Sequence, residues 1–259
     1  MDELTRNRAF MRCPDITALE NAETDQKKGL PYPLLDKAAA GETIELPDFA
    51  AVIRHDSYAD LLDLRRSERN FRDEPASPEQ LAFILWSSQG VQELRGENRY
   101  ASFRPVPSGG ARHPFEVYIA ALRIEGLKQG IYHYLPFQHV GEKRSAVELI
   151  KPLDEAGPLV GKMLGGQKWA VKASFVLLFT CIPYRAEWRY HDAAHRVMLI
   201  DLGHAGQNVM LSAAALGLGS CCLAAYDADE CDKALGVDGI GEYTVYAIPV
   251  GVIRGKGEI

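Results

Sequence analysis

The sequence predicts an α+β fold in which a largely antiparallel sheet is packed between helices. Strand-like and helix-like segments are mixed along the chain without a regular βαβ repeat, which disfavours a parallel sheet. Four apolar segments of strand length support this view: Phe115 to Ile124, Gly130 to Tyr134, Ser174 to Ile182, and Tyr243 to Val252, the last interrupted by Pro249. A segment rich in Ala and Gly, Asp192 to Leu216, predicts one long, tightly packed helix.

Two shorter helices are predicted before the first strand. Apolar residues recur in helical register from Tyr58 and stop at a charged segment that begins at Arg65. Ser77 is a candidate N-cap, with Pro78 at the first helical position, and this helix is expected to end at Gly90. The loop that follows is rich in Pro, Ser and Gly and leads into the strand at Phe115.

The first 50 residues lack sustained periodicity and are punctuated by prolines. We therefore expect an N-terminal extension over residues 1–50, and a single catalytic or binding domain over residues 51–259.

Composition limits the class of partner. Of the 259 residues, 29 are Lys or Arg and 35 are Asp or Glu, which gives a net charge of -6. A protein that binds nucleic acid needs a surplus of positive charge on one face, so nucleic acid is not an expected partner. Any anion bound by this chain must be held by a local cluster of donors.

The cysteines and the apolar runs indicate a cytoplasmic protein. Five cysteines, an odd number without CxxC spacing, favour reduced thiols: Cys13, Cys181, Cys221, Cys222 and Cys231. The N-terminus does not resemble a signal peptide. The most apolar run, Val209 to Ala225, is too short to span a bilayer and contains two serines, so we interpret it as a buried helix that leads into a strand and expect no membrane association.

A candidate anion site follows the first predicted helix. The segment RRSERNF places Arg65, Arg66 and Arg69 around Ser67, and planar guanidinium groups suit a phosphate or a carbonyl-rich ring edge. A solvated, charged helix end would have the same composition. In an acidic chain, with apolar residues on either side, an anion site and a solvated end are about equally supported.

Two glycine-containing segments are weaker candidates. In PVPSGGARHP, Gly109 and Gly110 let the backbone approach a ligand closely, and Ser108 and Arg112 supply donors. An ordinary loop before a strand would look the same. In GLGSCCLAAYD, a helix C-cap followed by a strand explains the glycines fully. The adjacent Cys221 and Cys222 bind a shared metal poorly without further ligands.

No independent catalytic signature is present in the sequence. The histidines His191, His195 and His204 do not form an HExxH motif, so we expect no metal site. Ser108 lies outside a GxSxG nucleophile elbow. The residues alone thus indicate an α+β protein with a candidate anion site.

Five motifs in order resemble the nitroreductase superfamily: RRSERNF, PSGGARHPFEVY, GIYHY, the predicted long helix containing GHAGQN, and GLGSCCLAAYD. The GGARHP loop, the GIYHY hairpin and the GHAGQN helix are most similar to its SagB-type dehydrogenase branch. The resemblance covers His55 to the C-terminus. It implies a nitroreductase-like fold and an FMN-binding homodimer with each flavin at the subunit interface.

The resemblance also assigns cofactor contacts. Arg65, Arg66, Ser67 and Arg69 match the segment that holds the phosphate and the N1/O2 edge of the flavin, where positive charge stabilises the anionic reduced ring. Arg254 matches a further phosphate contact. The loop that usually arrives from the partner subunit corresponds to Pro107, Ser108, Gly109 and Gly110, and the stretch whose backbone faces flavin N5 corresponds to Leu223, Ala224 and Ala225.

The resemblance implies hydride transfer through FMN by a ping-pong cycle, with NAD(P)H as the reductant and a small molecule or a modified peptide as the substrate. Azoline dehydrogenases carry a Lys-Tyr pair shortly before the long helix, where this chain has Arg189-Tyr190. Because arginine stays protonated, it replaces a proton-sharing lysine poorly. Tyr190 is a candidate proton donor. Azoline oxidation of a peptide and non-catalytic flavin binding are the two alternatives.

Overall fold

The computed structural model of the chain describes residues 2–12 and 15–254. Within these residues, seven strands form one sheet in the order β1-β6-β5-β4-β7-β9-β8, in which all neighbouring strands are antiparallel. The strands of this sheet are β1 (Thr43–Leu46), β4 (Phe115–Ala121), β5 (Gly130–Tyr134), β6 (Ser145–Pro152), β7 (Phe175–Cys181), β8 (Leu218–Ser220) and β9 (Tyr243–Val252). A separate hairpin pairs β2 (Glu93–Arg95) with β3 (Ala101–Phe103). The predicted α+β fold with a mostly antiparallel sheet is therefore confirmed.

Helices cover both faces of the sheet. They are α1 (Glu3–Met11), α2 (Ile16–Asn21), α3 (Tyr58–Leu64), α4 (Pro78–Gln89), α5 (Gly157–Met163), α6 (Tyr184–Tyr190), α7 (Ala194–Ala215) and α8 (Ala228–Leu235). Side chains alternate along β4, so Val117 and Ile119 join the core on the side of α4 and α7, whereas Tyr118 and Ala120 join the core on the side of α5 and α8. The sheet is thus the middle of three layers.

The predicted elements agree closely with the observed ones, apart from their ends. The long helix, predicted from Asp192 to Leu216, is α7, and it ends where Gly217 takes a left-handed φ of +72°. The helix predicted at Ser77 is α4, whose N-cap forms a capping box with Gln80 and whose last residue precedes Gly90.

Pro249 does not interrupt the last strand, contrary to expectation. It lies within β9 and is paired with Val176 of β7. The N–H and C=O of one strand residue point to the same side, and the Pro249 carbonyl accepts from the N–H of Cys221, one residue beyond the end of β8. Pro249 therefore keeps the hydrogen bond to its carbonyl and lacks only the one that its N–H would donate, on the side of β8, the short strand at the sheet edge.

The first 50 residues contain regular structure that their sequence does not indicate. Besides α1 and α2, they supply the edge strand β1, which pairs with β6. Further hydrogen bonds tie this segment to α6: Trp188 Nε1 donates to the carbonyl of Leu30 at 3.0 Å, and Arg185 Nε donates to that of Leu34 at 2.9 Å. Local periodicity misses these contacts because they are made with residues more than 150 positions away.

The cysteines of the described segments, Cys181, Cys221, Cys222 and Cys231, are free thiols, whereas Cys13 lies outside the described residues. In the described part of the chain, none of the helices combines the length and the apolar character needed to cross a bilayer.

Candidate functional site

The arginine segment lies directly after α3 and against the last turns of α7. The N–H of Glu68 donates to the carbonyl of Ser220 at 2.9 Å, and Ser67 forms a parallel bridge with Ser220. These contacts hold the segment beside the end of β8. Residues of α3, α7, β8 and this segment line a cavity of about 110 Å³: His55, Leu64, Arg65, Arg66, Glu68, Met210, Ala214, Gly217, Leu218, Ser220 and Ile253.

The guanidinium groups of this segment are available to a ligand. Within the described residues, Arg65, Arg66 and Arg69 form no ion pair with a carboxylate. Arg66 donates to the carbonyl of Arg65 at 2.8 Å, and Arg69 lies over the ring of Trp169 at 5.7 Å. Cations without an internal counter-charge, grouped beside a cavity, form a donor set suited to a phosphate or a carbonyl edge.

The chain after β8 stays paired with β9 as far as Leu223 and then leaves the sheet. Leu223 pairs with Ala247 of β9 through two backbone hydrogen bonds of 2.8 and 3.2 Å, so its N–H and C=O are already engaged. Ala224 and Ala225 are exposed, and the part of the chain that the structure describes offers no acceptor for their backbone N–H groups. Of the three residues predicted to face flavin N5, Ala224 and Ala225 thus retain free donors.

A thiol and a phenol lie under this turn. The ring of Tyr246 lies so close to Gly206 of α7 that a Cβ there would be 2.8 Å from the ring, and 3.5 Å from the sulfur of Cys222. Burial raises the pKa of the Cys222 thiol, an effect opposed by its hydrogen bond with Tyr246. Burial and the same hydrogen bond raise the pKa of Tyr246. Both groups are therefore protonated at neutral pH.

The glycine loop is held by α7. Ser108 donates its hydroxyl to Asp201 at 2.7 Å, and the N–H of Gly109 donates to the same carboxylate at 3.0 Å. Burial raises the pKa of Asp201, and these two hydrogen bonds oppose that shift. The Ser108 hydroxyl also accepts from the N–H of His113 at 2.9 Å. The Ser108 and Gly109 donors are thus used inside the chain. Gly110, which is also predicted to contact the flavin, is not engaged by Asp201.

The two halves of the predicted cofactor site are far apart within one chain. Asp201, which holds the glycine loop, and Ala214, which lines the arginine cavity, are separated by thirteen positions of α7, or about 20 Å along the helix axis. The structure therefore brings the arginine segment and Ile253 together at the last turns of α7, whereas Cys222, just before the 223–225 turn, lies beside Gly206, and the glycine loop is held at Asp201. Arg254 follows the cavity residue Ile253 and is exposed.

Tyr190 lies beside the glycine loop, at the end of α6. A Cβ on Gly110 would be 2.8 Å from the Tyr190 hydroxyl and 2.6 Å from Nε of Arg189. Gly110 has a φ of +60°, so both its conformation and the available space require glycine. The two side chains that the sequence singles out at this position therefore contact the loop directly.

Sequence reasoning misses the residue that anchors this loop, and it assigns Arg112 to a ligand, whereas Arg112 binds the loop itself. Asp201 is the carboxylate that anchors it, and Arg112 donates from Nε to the carbonyl of Gly110 at 3.1 Å while its guanidinium lies over the rings of Tyr100 and Trp188. Asp201 carries a signal in retrospect, since it is an acidic residue on an otherwise buried, apolar face of α7. Arg112 is predicted as a donor to a ligand, but its Nε is used inside the chain.

Metal binding finds no support in the described residues, where no three His, Cys, Asp or Glu side chains are arranged to hold an ion. His195 instead contacts Glu187 at 2.9 Å, and His191 contacts Asp192 at 3.4 Å.

Fold and site together define an oxidoreductase of the nitroreductase superfamily, and comparison with known proteins makes the assignment specific. The profile of the Nitroreductase family matches residues 62–252, so the chain belongs to that family. It is 31% identical to a nitroreductase-type protein of Methanocaldococcus jannaschii over 82% of this chain and 98% of the relative. It is 28% identical to the microcin B17-processing protein McbC of Escherichia coli, over 85% of this chain and 79% of the relative, which places it on the SagB-like side of the family.

Solved structures agree on the fold. A nitroreductase-type protein of Anabaena variabilis superimposes with a TM-score of 0.70 at 19% identity, covering 96% of this chain, which spans only 46% of that longer chain. The E. coli McbBCD microcin synthetase complex with truncated pro-MccB17 matches with a TM-score of 0.60 at 22% identity, over 97% of this chain and 87% of the matched one. A nitroreductase-type protein of Exiguobacterium sibiricum in complex with FMN matches with a TM-score of 0.55 at 14% identity, over 79% and 92% of the two chains.

Proposed function

We propose that this chain is an FMN-dependent oxidoreductase that works by a ping-pong cycle, with NAD(P)H as the reductant. The observation that carries the proposal is the cluster of Arg65, Arg66 and Arg69, which have no carboxylate partner in the described residues. Arg65 and Arg66 line a cavity, and Ala224 and Ala225 offer free N–H donors. Family membership and the FMN complex of a structural relative support the same cofactor.

The donor set fits FMN in its chemistry. Arg65, Arg66, Ser67 and Arg69 would hold the phosphate and the N1/O2 edge, with Arg254 as a further phosphate contact, and Ala224 and Ala225 would present backbone N–H groups to the N5 edge. When bound, FMN accepts a hydride from the reductant and passes the electrons to the second substrate. The positive charge of the arginines would favour the anionic reduced form of the ring over its neutral form.

A homodimer would complete the site. The arginine cavity of about 110 Å³ is smaller than the roughly 300–1,000 Å³ of pockets that enclose a whole organic ligand. The loop of Pro107, Ser108, Gly109 and Gly110 is held at Asp201, about 20 Å along the axis of α7 from Ala214 of the cavity, and we propose that a second copy supplies it. Exposed apolar side chains on α3 and α7 offer a surface for this copy: Tyr58, Leu62, Leu64, Leu199 and Ile200.

Tyr190, which lies beside this loop at the end of α6, would act on the substrate. Its hydroxyl is half-buried and makes no hydrogen bond to any residue within 2–12 or 15–254, so it is free to donate a proton. Because the loop is assigned to the partner's flavin, Tyr190 and Arg189 would line the pocket of the other subunit.

Removal of two cations tests the cofactor assignment. The double variant Arg65→Ala and Arg69→Ala should purify without the FMN that the wild-type protein carries. A matched double variant, Arg95→Ala and Arg99→Ala, removes the same charge from exposed arginines that are ion-paired with Glu93 and Asp36, and it should keep the cofactor. Stoichiometric FMN in the first double variant would overturn the assignment.

The second candidate function is a SagB-type azoline dehydrogenase that acts on a modified peptide. It is favoured by the relationship to McbC, whose name records microcin processing. Oxidation of a thiazoline-containing peptide, with return of electrons to oxygen, would establish this activity. Robust NAD(P)H turnover with no peptide oxidation would exclude it.

A third candidate is a flavin-binding protein without catalysis, for which the arginine segment alone would suffice. Bound FMN that is not reduced by nicotinamides and not reoxidised by quinones or nitroaromatic compounds would favour it.

We further propose a cytoplasmic location and a domain boundary near residue 50. The described part of residues 1–50 would stabilise α6 and the edge of the sheet through its contacts with them.

A further inference from the structure

Arg189 is a cation without a counter-charge inside the chain. It is half-buried at the end of α6, and across residues 2–12 and 15–254 it forms no ion pair. Its one hydrogen bond is a long one, 3.4 Å from Nη1 to the hydroxyl of Tyr100. A guanidinium with five donors therefore uses one of them weakly.

A second cation, Arg112, lies near Arg189, and Tyr100 contacts both residues. Arg112 is fully buried, and its Nη1 has no hydrogen-bond partner within the described residues. Its guanidinium lies 4.7 Å from the centre of the Tyr100 ring, whose hydroxyl accepts from Arg189. Burial lowers the pKa of Arg112, and the nearby Arg189 lowers it further. The two like charges thus share one tyrosine and repel each other.

The acidic groups near α6 do not neutralise this pair. Glu187 contacts His195 at 2.9 Å, and Asp25 accepts from the hydroxyl of Tyr184 at 3.1 Å. Neither guanidinium is therefore ion-paired within the described residues, and the carboxylate nearest the loop, Asp201, is engaged by Ser108 and Gly109. An anion placed beside Arg189 would offset the repulsion between the two guanidinium groups.

A second free donor lies next to Arg189. The Tyr190 hydroxyl makes no hydrogen bond in the described chain, and both groups approach Gly110, with 2.6 Å from its ideal Cβ to Arg189 Nε and 2.8 Å to the hydroxyl. A planar guanidinium beside a phenol O–H matches a carboxylate, which accepts two parallel N–H bonds and a further O–H bond.

We infer that Arg189 and Tyr190 bind a carboxylate of the substrate, so that the physiological substrate is an organic acid or a peptide with an acidic group beside the reacting centre. The inference rests on the proposed function in one respect: the loop beside the pair must face the flavin for the bound carboxylate to belong to a substrate.

Benzoate and benzamide test the inference, because they share one shape, differ in charge, and are neither oxidised nor reduced by a flavin. Both are titrated into the purified holoprotein by calorimetry. The wild-type protein should bind benzoate about tenfold more tightly than benzamide, as expected for a hydrogen bond to a charged group. Arg189→Gln should remove this preference, and Arg189→Lys should keep part of it. The control Arg95→Gln removes an exposed arginine paired with Glu93 and should keep all of it.

Three results would overturn the inference: equal dissociation constants in the wild-type protein, a preference that survives Arg189→Gln, or loss of FMN from Arg189→Gln but not from Arg95→Gln. The last result would show that Arg189 serves to hold the cofactor and not a substrate. A protein that takes up no FMN would instead refute the proposed function, and the comparison of benzoate with benzamide would still report on the anion site.

Discussion

Ser108 donates a 2.7 Å hydrogen bond to Asp201, and this contact fastens the glycine loop to the middle of α7. The loop also has positive φ values at Gly110, Ala111 and His113, so it needs external contacts to keep its conformation. Its anchor lies on the same helix whose last turns line the arginine cavity. One helix thus sets the positions of both halves of the proposed cofactor site.

Replacing the anchor should loosen the loop. Asp201→Ala removes the acceptor of two hydrogen bonds to a charged group, each worth about 1.5–3 kcal/mol, so we expect FMN affinity to fall by at least about tenfold. Fluorescence titration of the apoprotein with FMN measures this. The control Asp192→Ala changes a carboxylate that is 85% exposed and should keep wild-type affinity. Equal affinity in the two variants would show that the loop does not contact the flavin.

The buried ion pair between Glu116 and Arg185 should stabilise the fold in a pH-dependent way. Burial acts to raise the pKa of Glu116, but Arg185 and His133 outweigh it and bring this pKa to about 2, compared with 4.5 in the unfolded chain. Because the folded pKa is depressed, the stabilisation is present above pH 4.5 and is lost as the pH falls from 4.5 towards 2.

Glu116→Gln should therefore lower the free energy of unfolding by about 3–5 kcal/mol at pH 7, since it leaves the buried Arg185 without its partner. Urea denaturation at a series of pH values should show the difference from wild type shrinking below pH 4.5. Glu93→Gln, at an exposed ion pair with Arg95, serves as the control and should leave stability unaltered. A difference for Glu116→Gln that is independent of pH would contradict the assigned charge state.

Gly219 keeps β8 close to the arginine segment. An alanine Cβ there would lie 2.8 Å from Cβ of Glu68 and would also collide with Ile253. Gly219→Ala should therefore displace the arginine segment and weaken FMN binding strongly, with a smaller effect on the melting temperature. Gly161→Ala in α5, whose nearest neighbour would be 3.7 Å away, is a matched control and should bind FMN normally. Normal FMN affinity in Gly219→Ala would show that the arginine segment does not bind the cofactor.

An exposed apolar residue of α7 tests the proposed dimer. Ile200 is 47% exposed and lies on the outward face of the helix. Ile200→Glu should shift the protein from dimer to monomer in sedimentation velocity, and the monomer should lose FMN because the partner's loop is absent. Ile240→Glu changes an isoleucine that is 83% exposed in a loop and should remain dimeric. A monomeric wild-type protein that retains FMN would rule out the interface.

The sequence predicts the framework well because local signals determine it. Strand-length apolar runs gave β4, β5, β7 and β9, and the capping box at Ser77 gave the start of α4. The arginine segment is also evident in the sequence, since three guanidinium groups beside a helix end form a dense local pattern, and its role in binding the cofactor stays a prediction. These features depend on residues close together in the chain.

Features set by distant residues escaped prediction. The edge strand β1 is stabilised by pairing with β6, about 100 positions away, and carries little pattern of its own. The role of Asp201 is evident only from its hydrogen bond with Ser108. The positive charge around Arg189 is evident only from the position of Arg112, which contacts the same residue, Tyr100. The tolerance of β9 for Pro249 depends on its neighbour on the side of the missing N–H being β8, the short strand at the sheet edge.

The most direct test of the central claim is the visible absorption spectrum of the purified protein, recorded before and after anaerobic addition of NADH or NADPH. A nicotinamide-reducible FMN enzyme predicts flavin bands that bleach when the nicotinamide is added. Bands that persist would point to another electron donor or to flavin binding without catalysis. A colourless protein that also fails to take up added FMN would contradict the account.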